Sequence, residues 1–124
     1  MRKLLLAIGV AFCCQTAALA DPLPAGSTWQ NQRGSLLNVG AVRGNGSFRG
    51  TYINNAPGFQ CQGTPYPAIG RTSSAKTVFR VKFTQCQSVT TWTGTVNGPY
   101  MPTSWILIHN GQKQTGQDYF YRTN

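Results

Sequence analysis

The sequence has very few acidic residues. It contains 2 Asp and Glu residues against 11 Lys and Arg, and both acidic residues are aspartates, Asp21 and Asp118. Glycoside hydrolysis uses two carboxyl groups on either side of one cleft. Asp21 lies beside Pro22 near the predicted start of the mature chain, too peripheral to face Asp118 across a cleft. The composition therefore argues against a glycosidase.

Histidine is almost as scarce, because His109 is the single histidine of the chain. A Ser-His-Asp triad would have to use His109 and Asp118, and the sequence lacks the strained turn motif that presents such a nucleophile. Cys61 and Cys86 have no CxxC spacing, so with one histidine they do not form a familiar zinc ligand set. The Gly-Asn-Gly segment at residues 44–46 leads into strand-like sequence, which argues against a phosphate-binding loop. We expect a protein that is not an enzyme and that needs neither metal nor cofactor.

Long hydrophobic runs are absent after the N-terminal segment. Two basic residues precede an apolar run over residues 4–14, and small residues over 18–20 provide a cleavage site. This pattern is typical of a secretory signal peptide, and the run is too short to span a bilayer. We expect a signal peptide over residues 1–20, cleavage near Ala20, and a secreted or periplasmic domain over 21–124 that does not bind membranes.

Export determines how many cysteines the mature chain keeps and whether they can form a disulfide. Of 4 cysteines, Cys61 and Cys86 remain in the mature chain. In an oxidising compartment a disulfide between them is the default expectation. Closing a loop of this length stabilises a fold by about 3.5 kcal/mol in the chain-entropy model.

The net charge is positive. It is +9 for the whole chain, and without Arg2 and Lys3 it becomes +7. A positive charge suits nucleic acids and other anionic polymers. However, the basic residues are dispersed rather than clustered, so we expect no nucleic-acid partner. They include Arg33, Arg43, Arg49, Arg71, Arg80, Lys82 and Lys113.

The mature chain is predicted to be all-β. It is rich in Thr, Val, Tyr, Phe, Gly and Asn, and no segment keeps a 3.6-residue periodicity. Asn-Gly, a strong hairpin signal, occurs at residues 45–46, 97–98 and 110–111. Eight short strands favour an eight-stranded antiparallel up-and-down β-barrel, which leaves no exposed edge and can hold one small ligand. The predicted strands are 27–32, 35–42, 47–54, 66–72, 75–83, 88–96, 103–109 and 118–122.

Alternation is clearest in the fifth predicted strand. Phe79, Val81 and Phe83 fall on one face, and the basic residues Arg80 and Lys82 fall on the other. A preceding lysine, at position 76, follows the same alternation as the other two basic side chains. We expect the aromatic and valine side chains to point into the barrel.

Three tryptophans each follow Ser or Thr within strand-like sequence: Trp29, Trp92 and Trp105. Residues two apart in a strand share a face, so Asn31 lies beside Trp29 and Thr90 beside Trp92. Such faces suit a compact ligand with an apolar body and a few polar atoms. Core aromatics with satisfied polar neighbours would give the same pattern, and composition alone leaves both interpretations open.

Five segments, in order over residues 27–122, resemble the avidin–streptavidin family. They are residues 29–35 (WQNQRGS), 50–52 (GTY), 90–94 (TTWTG), 103–107 (TSWIL) and 116–118 (GQD). The segment 61–67, with Cys86 just before Ser88, is similar to the short bacterial avidins that form dimers. The resemblance implies a non-catalytic, high-affinity biotin-binding barrel and a homodimer.

The resemblance also implies roles for individual residues. Asn31, Ser35 and Tyr52 match the three donors to the ureido oxygen of biotin, while Asp118 and Asn54 match acceptors for the two ureido N–H groups. A dry pocket strengthens such bonds. The predicted site also places Thr90 opposite the ring sulfur, Ser88 near the valeryl carboxylate, and apolar walls around the ring. The complete set is Asn31, Ser35, Tyr52, Asn54, Ala56, Phe83, Ser88, Thr90, Trp92, Trp105, Leu107 and Asp118.

The sequence departs from the family pattern at three places. Phe83 stands where better-known members have tryptophan, and Arg33 holds a rim position that is usually uncharged. The connection 109–118 is short and lacks the tryptophan that tetrameric members lend to a neighbouring subunit. Each site must then be closed by its own chain. We expect the Cys61–Cys86 bridge to close the site by attaching the loop that follows Tyr52 to the loop before Ser88.

A second function remains open at this stage. The alternative is a basic secreted barrel that binds another protein or a polyanion, for example an inhibitor of a hydrolase. Asp118 separates the two hypotheses, because a polyanion gains nothing from a buried carboxylate whereas a ureido group needs an acceptor.

Overall fold

The computed structural model describes residues 20–124, and in this part of the chain the regular structure is almost entirely β. A short 3-10 turn, Thr84–Cys86, lies between the fifth and sixth strands. The predicted signal peptide, apart from Ala20, lies outside the described residues. The strands are β1 (Thr28–Gln30), β2 (Leu36–Val42), β3 (Ser47–Ile53), β4 (Pro65–Thr72), β5 (Thr77–Phe83), β6 (Ser88–Gly94), β7 (Tyr100–His109) and β8 (Gln112–Arg122).

The eight strands form one closed barrel in sequence order. Each strand pairs antiparallel with the next, and β1 pairs with β8 through Trp29 opposite Arg122 and Gln30 opposite Tyr121. Closure leaves no sheet edge with unpaired backbone groups. The predicted eight-stranded up-and-down barrel is therefore confirmed.

Alternation along the strands fills the barrel with aromatic rings. In β5 the predicted inward residues Phe79, Val81 and Phe83 are buried and the basic residues between them are exposed. Phe79 stacks on Trp92 with ring centroids 4.8 Å apart. Tyr52 lies 4.6 Å from the same indole ring. The alternation predicted for β5 is confirmed, and the packed rings form the floor below the open end of the barrel.

The predicted hairpin turn at residues 110–111 is present between β7 and β8, but β8 begins earlier than predicted. Asn110 and Gly111 both have positive φ, 49° and 73°, as a two-residue type I′ turn requires. His109 pairs directly with Gln112, so residues 112–117 belong to β8 and do not form the predicted connection over 109–118. These residues are mostly exposed on both faces because this part of the hairpin extends past the packed core, and the alternation that marks a half-buried strand is therefore missing.

β7 also starts earlier than predicted, at Tyr100 rather than at position 103. Pro102 lies within the strand opposite Tyr119. Proline has no N–H to give to a ladder and normally argues against a strand interior. The sequence prediction therefore began the strand three residues too late, although the strand itself was identified correctly.

Candidate functional site

A cavity of about 240 Å³ lies at one end of the barrel. Its wall is formed by β6, β7, β8 and the segment between β3 and β4. A second cavity of about 210 Å³ adjoins it and shares the lining residues Gly58, Phe59, Leu107 and Gln114. Seven predicted site residues line the first cavity and Ser88 lines the second. The seven are Asn54, Ala56, Thr90, Trp92, Trp105, Leu107 and Asp118.

Asp118 presents the one buried carboxylate among the described residues. Its side chain accepts hydrogen bonds at Oδ2 from Trp92 Nε1 (2.8 Å) and at Oδ1 from Gln32 Nε2 (3.2 Å). A third group, Arg33 Nη1, lies 3.6 Å from Oδ1. Buried charges persist when they are paired and hydrogen-bonded. Asp118 therefore presents a paired, hydrogen-bonded acceptor in a wall whose other charged residue is Arg33.

Three predicted donors, Asn31, Ser35 and Tyr52, are buried close to one another. Asn31 Oδ1 accepts the backbone N–H groups of Arg33 (3.0 Å) and Ser35 (2.9 Å). Ser35 Oγ accepts the backbone N–H of Asn55 at 2.9 Å. Because backbone donors occupy these acceptor oxygens, the Asn31 amide nitrogen and the Ser35 hydroxyl hydrogen are the ends that can donate to a ligand.

Tyr52 is held as a neutral donor. Burial raises the pKa of its hydroxyl far above the ordinary value of a tyrosine, and the side chains of Ser35 and Asn31 offset only part of that shift. The negative charge of Asp118 raises the pKa further, while the positive charge of Arg33 lowers it. A neutral phenol keeps its O–H, so Tyr52 can donate to a carbonyl oxygen over the whole physiological range.

Four predicted site residues, Asn31, Ser35, Tyr52 and Phe83, do not line the two cavities described above. Tyr52 is in contact with the wall through Trp92, and its hydroxyl lies near the side chains of Ser35 and Asn31. Phe83 is fully buried and packs edge-on against Tyr52 and Phe59 with centroids 6.1 Å and 5.0 Å apart. Phe83 thus packs behind residues of the site and lines neither of these two cavities.

Trp105 forms a half-buried part of the apolar wall. Its ring packs over Gly116, where an added Cβ would meet the indole at 2.3 Å, so any larger residue there would push the ring away. Its Nε1 has no hydrogen-bond partner among the described residues. The guanidinium carbon of Arg33 lies 5.8 Å from the centre of the Trp105 ring, within the range of a cation–π contact.

The segment between β3 and β4 covers the cavity and is held in place by hydrogen bonds and a disulfide. Asn55 contacts the β1–β2 turn through its backbone bond to Ser35 and through Nδ2 to Gly34 O at 2.9 Å. Cys61, near the far end of the segment, forms a disulfide with Cys86, and their Cα atoms are 6.0 Å apart. The predicted disulfide is confirmed, and it joins the covering segment to the turn that precedes β6.

Sequence reasoning missed several residues that line the two cavities. Phe59 and Gln114 line both cavities, and Arg33, expected only at the rim of the pocket, lies 3.6 Å from Asp118. Phe59 lies in a loop without periodicity, and Gln114 lies in a stretch predicted to be a connection. The one available signal was the run 57–60 (Pro-Gly-Phe-Gln), in which a large aromatic residue follows two turn residues beside Cys61.

The asparagine predicted as second acceptor, Asn54, has one of its acceptor positions occupied. Its Oδ1 accepts the backbone N–H of Ala56 at 2.9 Å. A side-chain carbonyl has two lone pairs, so one position remains for a ligand N–H. The bond also fixes the amide, since it closes a short turn within the covering segment.

An eight-stranded barrel with one end open to a cavity, an apolar wall and a few converging polar groups is a small-ligand-binding barrel. A sequence model of the avidin family matches residues 20–123. The chain belongs to the avidin family.

Relatives agree with this assignment. The chain is 40% identical over 121 residues to afifavidin from Afifella pfennigii. The aligned region covers 87% of this chain and 76% of afifavidin. Among solved structures, the bradavidin2–biotin complex has a TM-score of 0.78 and 45% identity, covering 82% of this chain and 100% of that one. The rhizavidin–biotin complex has a TM-score of 0.75 and 37% identity, covering 82% and 93% of the two chains.

Proposed function

We propose that this chain binds biotin, tightly and non-covalently, in the cavity at the end of the barrel. The observation that carries the proposal is the placement of the buried acceptor Asp118 in a tryptophan wall, next to a cluster of three buried donors. A ureido group has one carbonyl oxygen and two N–H groups, so it needs donors on one side and acceptors on the other. The bound biotin in the bradavidin2 and rhizavidin structures supports the same ligand.

Each polar position has a role in this proposal. Asn31, Ser35 and Tyr52 donate to the ureido oxygen, and Asp118 and Asn54 accept from the two N–H groups. Thr90, which is 3% exposed and lines the first cavity, faces the ring sulfur. The second cavity then receives the pentanoate chain and its carboxylate. Tight binding follows because the donors and acceptors are already fixed by protein hydrogen bonds before the ligand arrives.

A thermal-shift titration combined with tryptophan fluorescence tests this proposal. Free biotin in excess should raise the unfolding temperature and change the emission, since Trp92 and Trp105 line the cavity and a ligand that binds only the native state stabilises it. Desthiobiotin should stabilise less, because it lacks the sulfur opposite Thr90. Lipoic acid, which has a pentanoate chain and ring sulfur but no ureido group, is the matched control and should stabilise far less. An unchanged melting temperature with excess biotin would refute biotin binding and leave the barrel unaffected.

We propose further that the bound ligand leaves chemically unchanged. His109 pairs with Gln112, six positions along β8 from Asp118, a separation of about 20 Å at the usual rise of a strand. The imidazole therefore cannot share a proton with that carboxylate. Mass spectrometry of biotin recovered after prolonged incubation should show the intact ligand, and any product would contradict a purely binding role.

A homodimer is the assembly we propose, formed by the outer faces of β7 and β8. Ile106 and Ile108 on β7 are 43% and 42% exposed, and Tyr119 on the neighbouring strand is 38% exposed. Ile106 and Ile108 are neighbours on one face of β7, and exposed apolar side chains grouped in this way favour a protein contact. Light scattering should give a dimer mass for the native protein and a monomer mass for Ile106→Lys. Ile69→Lys, on the outer face of β4 and 46% exposed, is the matched control and should remain dimeric.

We also propose that the protein is exported and cleaved after Ala20. The apolar N-terminal sequence and the Cys61–Cys86 bridge support export, because such bridges persist in oxidising compartments. N-terminal sequencing of protein recovered outside the cytoplasm should start at Asp21. A start at Met1 in exported protein would contradict the cleavage site.

A further inference from the structure

The second cavity contains a buried hydroxyl with no partner. Ser88 is 5% exposed, and its Oγ has no hydrogen-bond partner among the described residues. An unsatisfied buried hydroxyl costs free energy of folding unless a ligand or water completes it. This cavity adjoins the first one at Leu107 and Gln114, so a ligand that fills the first cavity can extend into it.

His109 lies directly beside that hydroxyl. It pairs with Ser88 in the β6–β7 ladder and lines the same cavity. Side chains that are directly opposite in an antiparallel pair point to the same face, with Cβ atoms about 4.5–5.5 Å apart. His109 is half-buried, so its imidazole is in contact with solvent on one side and with the cavity on the other.

In the part of the chain that the structure describes, no acidic side chain lies beside His109. On β8 it faces Gln112, and the next inward residue along that strand, Gln114, is also uncharged. The covering segment contributes Gly58, Phe59 and Gln60 to this cavity, and Cys86 is in the disulfide. The nearest lysines along the neighbouring strands, Lys82 and Lys113, are exposed on the outer face of the barrel. A ligand carboxylate in this cavity would therefore meet Ser88 and His109, beside the uncharged amides of Gln60 and Gln114.

We propose that His109 binds the terminal carboxylate of the ligand together with Ser88, and that it thereby favours the free acid over a neutral amide of the same ligand. This inference rests on the proposed biotin function and adds a charge-dependent residue to it. Histidine changes its charge between about pH 5 and 8, whereas a simple aliphatic carboxyl group titrates near the glutamate value of about 4.3. A hydrogen bond between a protonated imidazole and an ionised carboxylate joins opposite charges and is stronger than one between neutral groups.

The test compares release of biotin with release of biotinamide, its primary amide, from the full protein. Dissociation rates of both ligands are measured at about pH 8 and about pH 6, the range in which histidine titrates. In the wild-type protein the release of biotin should slow relative to that of biotinamide by about two- to fivefold at the lower pH, the size expected for a partly exposed ion pair. His109→Gln should lose this pH dependence.

Lys113→Gln is the matched control, because it removes a positive charge from the same end of the barrel on the outer face. It should keep the wild-type ratio and its pH dependence. If both ligands bind and the ratio is independent of pH in the wild type, or if His109→Gln retains the dependence, the role of His109 is refuted and biotin binding stands. If neither ligand binds, the proposed function itself is refuted, and the role of His109 with it.

Discussion

The indole nitrogen of Trp92 donates a hydrogen bond to Oδ2 of Asp118 at 2.8 Å. The two residues lie on β6 and β8, which are separated in the barrel by β7, so the bond crosses the interior. One ring therefore serves both as apolar wall and as the group that orients the buried carboxylate. Any change at either residue should affect the direction in which the acceptor points.

Loss of the charge at Asp118 is expected to weaken ligand binding strongly. Asp118→Asn keeps the size of the side chain but makes the acceptor neutral, and it turns one end of the group into a donor. Biotin affinity should fall by about 2–3 kcal/mol, the cost of leaving a desolvated N–H poorly paired. Calorimetry or fluorescence titration measures this. Asp21→Asn removes the other carboxylate of the mature chain, far from the cavity, and should leave the affinity unchanged.

Replacement of Arg33 by leucine should strengthen binding. In the described site the guanidinium lies 3.6 Å from Asp118, and it must share that carboxylate with an arriving N–H group. The side chain is 44% exposed, so the contact contributes only about 0.2–1 kcal/mol. Arg33→Leu should therefore bind biotin up to about fivefold more tightly by fluorescence titration. Arg49→Leu, which replaces an exposed arginine on β3, should leave the affinity for biotin unchanged. Weaker binding by Arg33→Leu would mean that the guanidinium contacts the ligand instead.

The Cys61–Cys86 bridge is expected to affect both stability and ligand release. Serine at both positions should lower the free energy of unfolding by about 3.5 kcal/mol, measured by urea denaturation. Biotin should also dissociate faster, because the segment that carries Phe59 over the cavity would have to be ordered at each binding event. Reducing agent should have the same effects on the wild-type protein and none on the variant. Release at the wild-type rate from the variant would contradict a covering role.

Tyr52 should make folding stability fall at alkaline pH. Burial raises the pKa of Tyr52 in the native state, whereas an unfolded tyrosine ionises near pH 10. Above that pH the unfolded chain has lost the proton and the native protein retains it, so the free energy of unfolding decreases as pH rises, by about 1.4 kcal/mol per unit. Tyr52→Phe should lack this contribution in urea unfolding at about pH 9 and about pH 11. Tyr121→Phe, at the surface, should follow the wild type; equal slopes for all three would contradict the prediction.

The strands could be predicted wherever one face of the sheet is buried. In β5 the buried face is apolar and the outer face basic, so the period of two is visible in the sequence. The same reasoning failed for residues 112–117, which are mostly exposed on both faces and give no period. It also failed at Pro102, because a barrel strand accepts a proline that local rules exclude.

The site was less accessible to sequence reasoning than the fold. Asp118 could be singled out because acids are so rare in this chain, and its burial agrees with that reasoning. The contact between Arg33 and Asp118 could not be predicted, because it depends on how the β1–β2 turn lies against β8. Phe59 was missed for a similar reason: only the fold brings its loop over the cavity.

The bond between Gln32 Nε2 and Asp118 joins residues 86 positions apart in the chain. Gln32 follows β1 and Asp118 lies in β8, the two strands whose pairing closes the barrel. Contacts between residues so far apart in sequence form late, because closing the long chain segment between them costs conformational entropy first. The binding site is therefore incomplete in every folding intermediate with an open barrel. Recovery of ligand binding during refolding will report the last topological step and not the collapse that precedes it.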